Sequence, residues 1–219
     1  MKEHFINELR HLLNMIVAQG GLVESAIKRA IDAVTATDAE LARHVISDDS
    51  TIDAEEIRIE EECLKILALY QPVATDLRTV VAILKINTAL ERMADFGAHI
   101  AERAIELAGM SETLPDERID FTAMEQNALS MLRDSMKVMR RSDTVLAYGV
   151  IERDDAVDQA RRDIVQLVGR SISLHPAQAP YYLACMGISR DLERIADIAT
   201  DICEHIIYLE TGKIIRHRR

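Results

Sequence analysis

The stretches LERMAD at residues 90–95 and LERIAD at residues 192–197 are nearly the same six residues, repeated 102 positions apart. A second pair of segments repeats as well: VISDDSTID at 45–53 is similar to VIERDDAVD at 150–158, at an offset of 105. Similarity on a scale near 100 residues indicates two copies of one structural unit rather than a solenoid of short repeats. The two offsets predict that the connection between the second and third helices is about three residues shorter in the second copy.

Prolines and capping sequences divide the chain into helical segments. The four prolines are Pro72, Pro115, Pro176 and Pro180. Between them, apolar residues recur three and four positions apart, as they do on one face of an α-helix. Two further breaks are expected at 37–40, which has a capping-box pattern, and at 142–143. The predicted helices are 4–36, 38–69, 73–108, 117–141, 143–173 and 178–210, with a loop at 109–116.

We therefore expect an all-α fold of two tandem three-helix bundles related by internal duplication. The first bundle should comprise residues 1–110 and the second residues 111–219. A chain of 219 residues that is 48% apolar has enough material for a buried core.

Charge and composition exclude several classes of function. The formal net charge of −11 disfavours nucleic acid and anionic lipid as direct partners. No apolar stretch reaches the roughly 18 residues of a membrane span, and charges interrupt the N-terminus where a signal peptide would be apolar. We therefore expect a cytoplasmic protein. The number of cysteines is odd and none are spaced as Cys-x-x-Cys, so we expect reduced thiols packed in the protein interior. They are Cys63, Cys185 and Cys203.

The repeated motifs carry carboxylates in pairs spaced i, i+4. Each pair projects from one face of its helix, with Cβ atoms about 6 Å apart. The four pairs are Glu91 with Asp95, Glu193 with Asp197, Asp49 with Asp53, and Asp154 with Asp158. Like charges at this spacing destabilise a helix unless a cation lies between them.

The acidic pairs are expected to meet across each bundle. Around a turn near residue 71, Asp53 lies 18 residues before the turn and Glu91 lies 20 after it. Around a turn near 175, Asp158 and Glu193 lie 17 and 18 residues away. At about 1.5 Å per residue, these side chains are within one helical turn of the same level. Facing carboxylate pairs are how helical bundles build multinuclear metal sites.

Two further side chains could complete the sites. His99 follows Asp95 by one turn, and Asp201 holds the same place in the second repeat. Carboxylates alone favour Mn, Mg or Fe, whereas a histidine favours Fe or Zn. Affinity order does not choose among these metals.

Three other interpretations of the acidic residues remain open. SDDSTIDAEE at 47–56 could be a helix start, with acids favoured by the dipole of the first turn. Glu91 and Asp95 could be solvated or paired with arginines of neighbouring helices. DDAVD at 154–158 also matches the Asp-Asp-x-x-Asp pattern of helical prenyl-diphosphate enzymes, which hold Mg²⁺, although no basic cluster for a diphosphate is evident. The basic ending KIIRHRR at 213–219 is expected to be frayed, or to contact anionic headgroups or an acidic partner weakly.

Further motifs accompany the repeated VISDD, VIERDD, LERMAD and LERIAD segments: NMIVAQGGLVESAI at 14–27 and QPVATDLR at 71–78. Through these motifs the chain resembles, over nearly its whole length, the PhoU family of phosphate-transport regulators. The family's acidic motif is commonly Glu-Arg-Ile-Gly-Asp, whereas this chain has Ala94 and Ala196 at the glycine place. His99 stands where asparagine is common.

The resemblance implies a regulator rather than an enzyme. The fold that the resemblance implies is two three-helix bundles whose Glu/Asp-x-x-x-Asp motifs can hold multinuclear clusters of iron, zinc or manganese. The implied role is to limit a phosphate ABC transporter, through its ATPase subunit, and to convey phosphate sufficiency to a sensor histidine kinase. Homodimerisation is also implied, with membrane association only through partners. The alternatives are a helical adaptor without metal and, less favoured, a Mg-dependent prenyl-diphosphate enzyme.

Overall fold

The structure, a computed structural model, describes residues 2–110 and 114–212. The predicted all-α fold is confirmed, and six α-helices with no β-strand occupy this part of the chain. They are α1 Lys2–Ala36, α2 Ala39–Tyr70, α3 Ala74–Gly109, α4 Thr122–Arg141, α5 Thr144–Leu174 and α6 Ala179–Thr211. The short 3₁₀ turn Pro176–Gln178 precedes α6. The basic segment 213–219 lies outside the described residues.

The helices pack as two bundles that share one core. Helices α1, α2 and α3 pack on one another, as do α4, α5 and α6. The two bundles touch through equivalent helices, α1 against α4 and α3 against α6. The buried apolar side chains of both halves form one continuous cluster, which includes Leu90 and Leu192 of the repeated motifs. The division between residues 110 and 111 stays a prediction.

Aspartate caps start two of the helices where breaks were predicted. The carboxylate of Asp38 accepts hydrogen bonds from the backbone N–H groups of Glu40 and Leu41, at 2.9 and 3.0 Å. Asp143 accepts one from Leu146 N–H at 3.0 Å. Each bond satisfies a donor that the first turn of a helix leaves unpaired.

Helix α4 begins later than the predicted residue 117, at Thr122. Phe121, immediately before it, is buried, and the backbone N–H of Ile119 donates to the hydroxyl of Tyr181 on α6 at 2.7 Å. The carboxylate of Asp120 accepts from Thr122 N–H at 2.9 Å. The hydrogen bond to Tyr181 and the burial of Phe121 hold the segment in a non-helical conformation, although its local sequence is compatible with a helix.

The second copy is shorter inside its third helix and not in the connection. Ala74 to Leu90 spans 16 positions in α3, whereas Ala179 to Leu192 spans 13 in α6. The connecting segments are 71–73 and 175–178, so the predicted shortening of the connection is wrong. Pro176 keeps His175 out of the helical conformation, since a proline disfavours that conformation in the residue before it. Pro180 lies in the first turn of α6, where its missing N–H group leaves no helical hydrogen bond unmade.

The bundles approach closely where α1 meets α4. A β-carbon built on Gly20 would lie 2.7 Å from Cγ of Met136, which is too close for any other residue without a shift of Met136. Glu24 of α1 and Arg133 of α4 also form an ion pair at this contact. Gly20 therefore permits the close packing of the two halves.

All three cysteines are buried free thiols, as predicted. Desolvation raises the pKa of Cys63 to about 12, of Cys185 to about 11 and of Cys203 to about 12. They are therefore protonated at neutral pH and poor nucleophiles. None of the helices in the described part of the chain is long and apolar enough to cross a membrane.

Candidate metal centres

The predicted acidic side chains of the first repeat converge between α2 and α3. We name this group the first acidic cluster, with members Asp49, Asp53, Glu56, Glu91, Asp95 and His99. Desolvation raises the pKa of Glu91 above its ordinary value, and repulsion from Asp95 and from the three carboxylates of α2 adds to this. Desolvation and repulsion also raise the pKa of Asp49, which the nearby His99 opposes. The two helices thus bring their acids to a common level.

The second repeat forms an equivalent group between α5 and α6. This second acidic cluster consists of Asp154, Asp158, Glu193, Asp197 and Asp201. Asp154 is completely buried. Asp197 is open to solvent on one side, yet desolvation within the cluster, followed by repulsion from the other four carboxylates, raises its pKa to about 6.

One position distinguishes the two clusters electrostatically. In the second, Nε and Nη1 of Arg161 lie 3.0 and 3.2 Å from the two carboxylate oxygens of Glu193. The residue 105 positions earlier is Glu56, whose own pKa is raised by desolvation and by repulsion from nearby acids. At this position the first cluster therefore has the carboxylate of Glu56, whereas the second has the guanidinium of Arg161. Comparison of the repeats at their 105-residue offset could have revealed Glu56, which the motif analysis missed.

The structure separates the open interpretations of these acids. Residues 47–56 lie inside α2, which begins at Ala39, so the interpretation of this segment as a helix start is wrong. Pairing with arginines holds for Glu193, and Arg162 lies 3.6 Å from Asp158. Across residues 2–110 and 114–212, no salt bridge involves Glu91 or Asp95. The first cluster is thus the less neutralised of the two.

The donor chemistry of both clusters fits a metal ion. Carboxylates with one imidazole suit Fe, Mn or Zn, and a cation would relieve the mutual repulsion recorded in the raised pKa values. No three His, Cys, Asp or Glu side chains in the described ranges are close enough together to hold a metal as they stand. Binding would therefore require the carboxylates to rotate inward, a movement that their mutual repulsion opposes. The role of these residues as ligands stays a prediction.

The Asp-Asp-x-x-Asp pattern does not form one face. Asp154 is completely buried, whereas Asp155 is exposed to solvent on another side of α5. A diphosphate site needs its aspartates to share one Mg²⁺-binding surface. The geometry therefore disfavours the prenyl-diphosphate interpretation.

Metal-free protein should gain stability from the D197N substitution at pH 7.5, and the gain should shrink as the pH falls to 4.5. In the unfolded chain Asp197 has its ordinary pKa of 3.8 and loses its proton above that pH. In the folded protein its raised pKa means that it keeps the proton up to a higher pH. Stability associated with that proton is present at low pH and is lost as the pH rises through about 6. Urea unfolding of wild type and D197N at both pH values, with chelator present, measures the difference. An equal difference at both pH values would contradict this cause.

Comparison with known proteins identifies the family. The sequence model of the PhoU domain matches residues 16–104 and 121–206. The chain is 37% identical to a phosphate-specific transport system accessory protein PhoU homolog of Aquifex aeolicus, over 96% of this chain and 95% of that protein. It is 31% identical to the PhoU accessory protein of Escherichia coli, over 97% of this chain and 88% of that protein.

Solved structures agree with the sequence comparison. The crystal structure of PhoU from Pseudomonas aeruginosa matches with a TM-score of 0.90 and 32% identity, over 95% of this chain and all of that one. The regulatory protein PhoU from Streptococcus pneumoniae matches with a TM-score of 0.82 and 30% identity, over 96% of this chain and 99% of that one. The resemblance carried by the repeated acidic motifs is thereby confirmed: this chain belongs to the PhoU family.

Proposed function

We propose that this protein is a cytoplasmic negative regulator of phosphate uptake and of phosphate-starvation signalling. The observation that carries the proposal is full-length similarity to proteins named as accessory or regulatory proteins of phosphate transport. Those names describe no enzyme activity, and the proposed role requires none. Its partners would be the ATPase subunit of a phosphate ABC transporter and a sensor histidine kinase, with membrane association only through them.

The proposed mechanism is binding that shifts conformational populations. An adaptor changes a partner's activity only by binding one of its states more tightly than the other. When phosphate is plentiful, the protein would favour the inactive states of both transporter and kinase. A homodimer would present each binding surface twice and would strengthen binding to a multisubunit partner through effective concentration.

The two acidic clusters are proposed to hold Fe, Zn or Mn, as multinuclear centres. Glu91, Asp95, Asp49 and Asp53 would hold metal in the first cluster, with Glu56 and His99 as further ligands. The second cluster would use the carboxylates Asp154, Asp158, Glu193, Asp197 and Asp201. Bound cations would neutralise the repulsion between carboxylates and fix α2 to α3 and α5 to α6. Because Arg161 already neutralises Glu193, the first cluster should bind metal more tightly.

A structural adaptor without metal is the second candidate. The ion pair between Arg161 and Glu193 supports it, since that pair partly neutralises one cluster from within the protein. Metal content of protein purified without chelator distinguishes the two candidates. Metal at stoichiometric level favours the first, and its absence favours the second.

Deletion of the gene in its host should switch on phosphate-starvation genes, or raise phosphate uptake, even in phosphate-rich medium. The reason is that both partners would lose the adaptor that favours their inactive states. A starvation-promoter reporter and radiolabelled phosphate uptake measure the effect, with complementation by the wild-type gene as control.

Binding of the purified protein to the transporter ATPase subunit or to the cytoplasmic region of the kinase gives a second readout. Both responses unchanged by deletion, together with no binding at tens of micromolar, about −6 kcal/mol of affinity, would overturn the regulatory proposal.

A further inference from the structure

The contact between α3 and α6 contains two equivalent grooves, because residues 102 positions apart in the two helices correspond. One groove is filled by protein side chains. Arg103 of α3 donates to the carboxylate of Asp191 on α6 at 2.7 Å, and Asp191 is only 1% exposed. Gly187 leaves the space that the Arg103 guanidinium occupies, since a β-carbon there would be 2.9 Å from Cζ. Arg194 lies over the ring of Phe96, 5.4 Å from its centre.

The equivalent groove on the other side is open. It has a volume of about 140 Å³ and lies between the first half of α3 and the last half of α6. The polar and small side chains of its lining are Lys85, Thr88, Ala89, Arg92, Asp201 and His205.

Cationic side chains line the open groove, but it lacks the buried acid and the aromatic ring that neutralise and cover the arginines of the filled groove. Ala89 stands at the position of the buried acid Asp191, and Ile198 stands at the position of the ring Phe96. Neither Lys85 nor Arg92 forms an ion pair or side-chain hydrogen bond with any residue in the described parts of the chain. This local positive charge occurs in a protein of net charge −11.

We propose that the open groove binds a small tetrahedral oxyanion, hydrogen phosphate, which takes the place that the Asp191 carboxylate has in the filled groove. Lys85 and Arg92 would supply charge-assisted donors. The hydroxyl of Thr88, which now makes only a long bond of 3.4 Å to the carbonyl of Leu84, is a further donor. The volume equals roughly four to five waters at about 30 Å³ each, sufficient for an ion of five heavy atoms.

Asp201 makes the groove selective for an anion that carries a proton. Asp201 lines the groove, and its carboxylate oxygens can accept a hydrogen bond from the hydroxyl of hydrogen phosphate, whereas sulfate has no hydroxyl to donate at neutral pH. The Nδ1 atom of His205 lies 2.7 Å from the carbonyl oxygen of Asp201, which fixes the ring beside the groove. Asp201 belongs both to the second acidic cluster and to the lining of this groove, so phosphate binding is tested without metal. The proposal does not depend on the regulatory role.

Titration calorimetry of the full-length protein with inorganic phosphate, in chelator so that metal cannot bind the anion, tests the proposal. We expect saturable binding of phosphate in the millimolar range or tighter, and binding of sulfate at least about tenfold weaker. The K85Q and R92Q variants should each weaken phosphate binding about tenfold, the effect of losing one charged hydrogen bond. The matched control is R194Q, which removes the equivalent arginine from the filled groove and should leave phosphate binding unchanged.

The A89D variant tests the equivalence of the two grooves directly. It places a carboxylate where Asp191 lies in the other groove, and should abolish phosphate binding while the protein still melts cooperatively. If the wild type shows no binding at about 20 mM phosphate, well above a millimolar dissociation constant, the proposal is overturned. Equal binding by wild type and the K85Q/R92Q double variant would overturn it as well. Sulfate binding as tight as phosphate would overturn the selectivity assigned to Asp201.

Discussion

Replacement of Arg103 by methionine should lower the free energy of unfolding by about 3–5 kcal/mol, because it leaves a buried carboxylate without its cation. Asp191 is 1% exposed, and its carboxylate receives Nη1 of Arg103 at 2.7 Å across the contact between α3 and α6. The same guanidinium also donates to the carbonyl oxygen of His99 at 2.9 Å. The substitution therefore removes both a buried ion pair and a link between the two bundles.

Urea unfolding of R103M and of two companion variants measures this effect. R190Q is the matched control, since Arg190 approaches the same carboxylate at 3.7 Å but is half exposed. Its loss should cost less than about 1 kcal/mol. G187A should be destabilising too, because its β-carbon would displace Arg103 from Asp191. A combined R103M/D191L variant should recover part of the loss, since it removes both charges. A cost of R103M no larger than that of R190Q would contradict the importance of the pair.

Alanine at both Glu91 and Asp95 should remove more bound metal than alanine at both Glu193 and Asp197. The first cluster has Glu56 at the place where the second has Arg161, and Arg161 competes with a metal for Glu193.

Removal of metal from the wild type should lower the free energy of unfolding by about 3–4 kcal/mol if the metal had been present at 100 to 1,000 times its dissociation constant. Mn²⁺ or Fe should restore the loss.

Elemental analysis of protein purified without chelator measures the metal content of each variant. The control is E102A/E106A, which removes two exposed carboxylates of the same spacing from the same helix α3 and should leave metal content unchanged. R161Q should raise the metal bound by the second cluster, because it frees Glu193. Unchanged stoichiometry in E91A/D95A would refute the assignment of the first cluster. Equal losses from the two double variants would refute the effect of Arg161.

Much of the fold could be predicted from the sequence because its signals are local. Helix boundaries near 37 and 142 follow from the capping aspartates Asp38 and Asp143, whose bonds reach only two or three residues along the chain. The level of Glu91 against Asp53 follows from the constant rise of an α-helix. Duplication is visible directly, because two copies of LERxAD occur at one spacing.

Tertiary contacts decided the remaining features. The start of α4 at Thr122 depends on Tyr181, which lies 62 residues beyond Ile119, so local propensity alone predicted a longer helix. Whether a given acid is neutralised depends on which arginine reaches it, and Arg161 reaches Glu193 over a separation of 32 residues.

Hydrophobic periodicity and the repeated motifs were sufficient to predict six helices, their duplication and the alignment of the acids on helix faces. The differences between the two copies at equivalent positions depend on contacts between helices. Arg103 fills one groove against Asp191, 88 residues away, while the equivalent groove beside Lys85 and Arg92 stays open. Such differences arise from side chains that meet across the contact of two helices. The sequence pattern of one helix does not show which residues of the other helix lie opposite it.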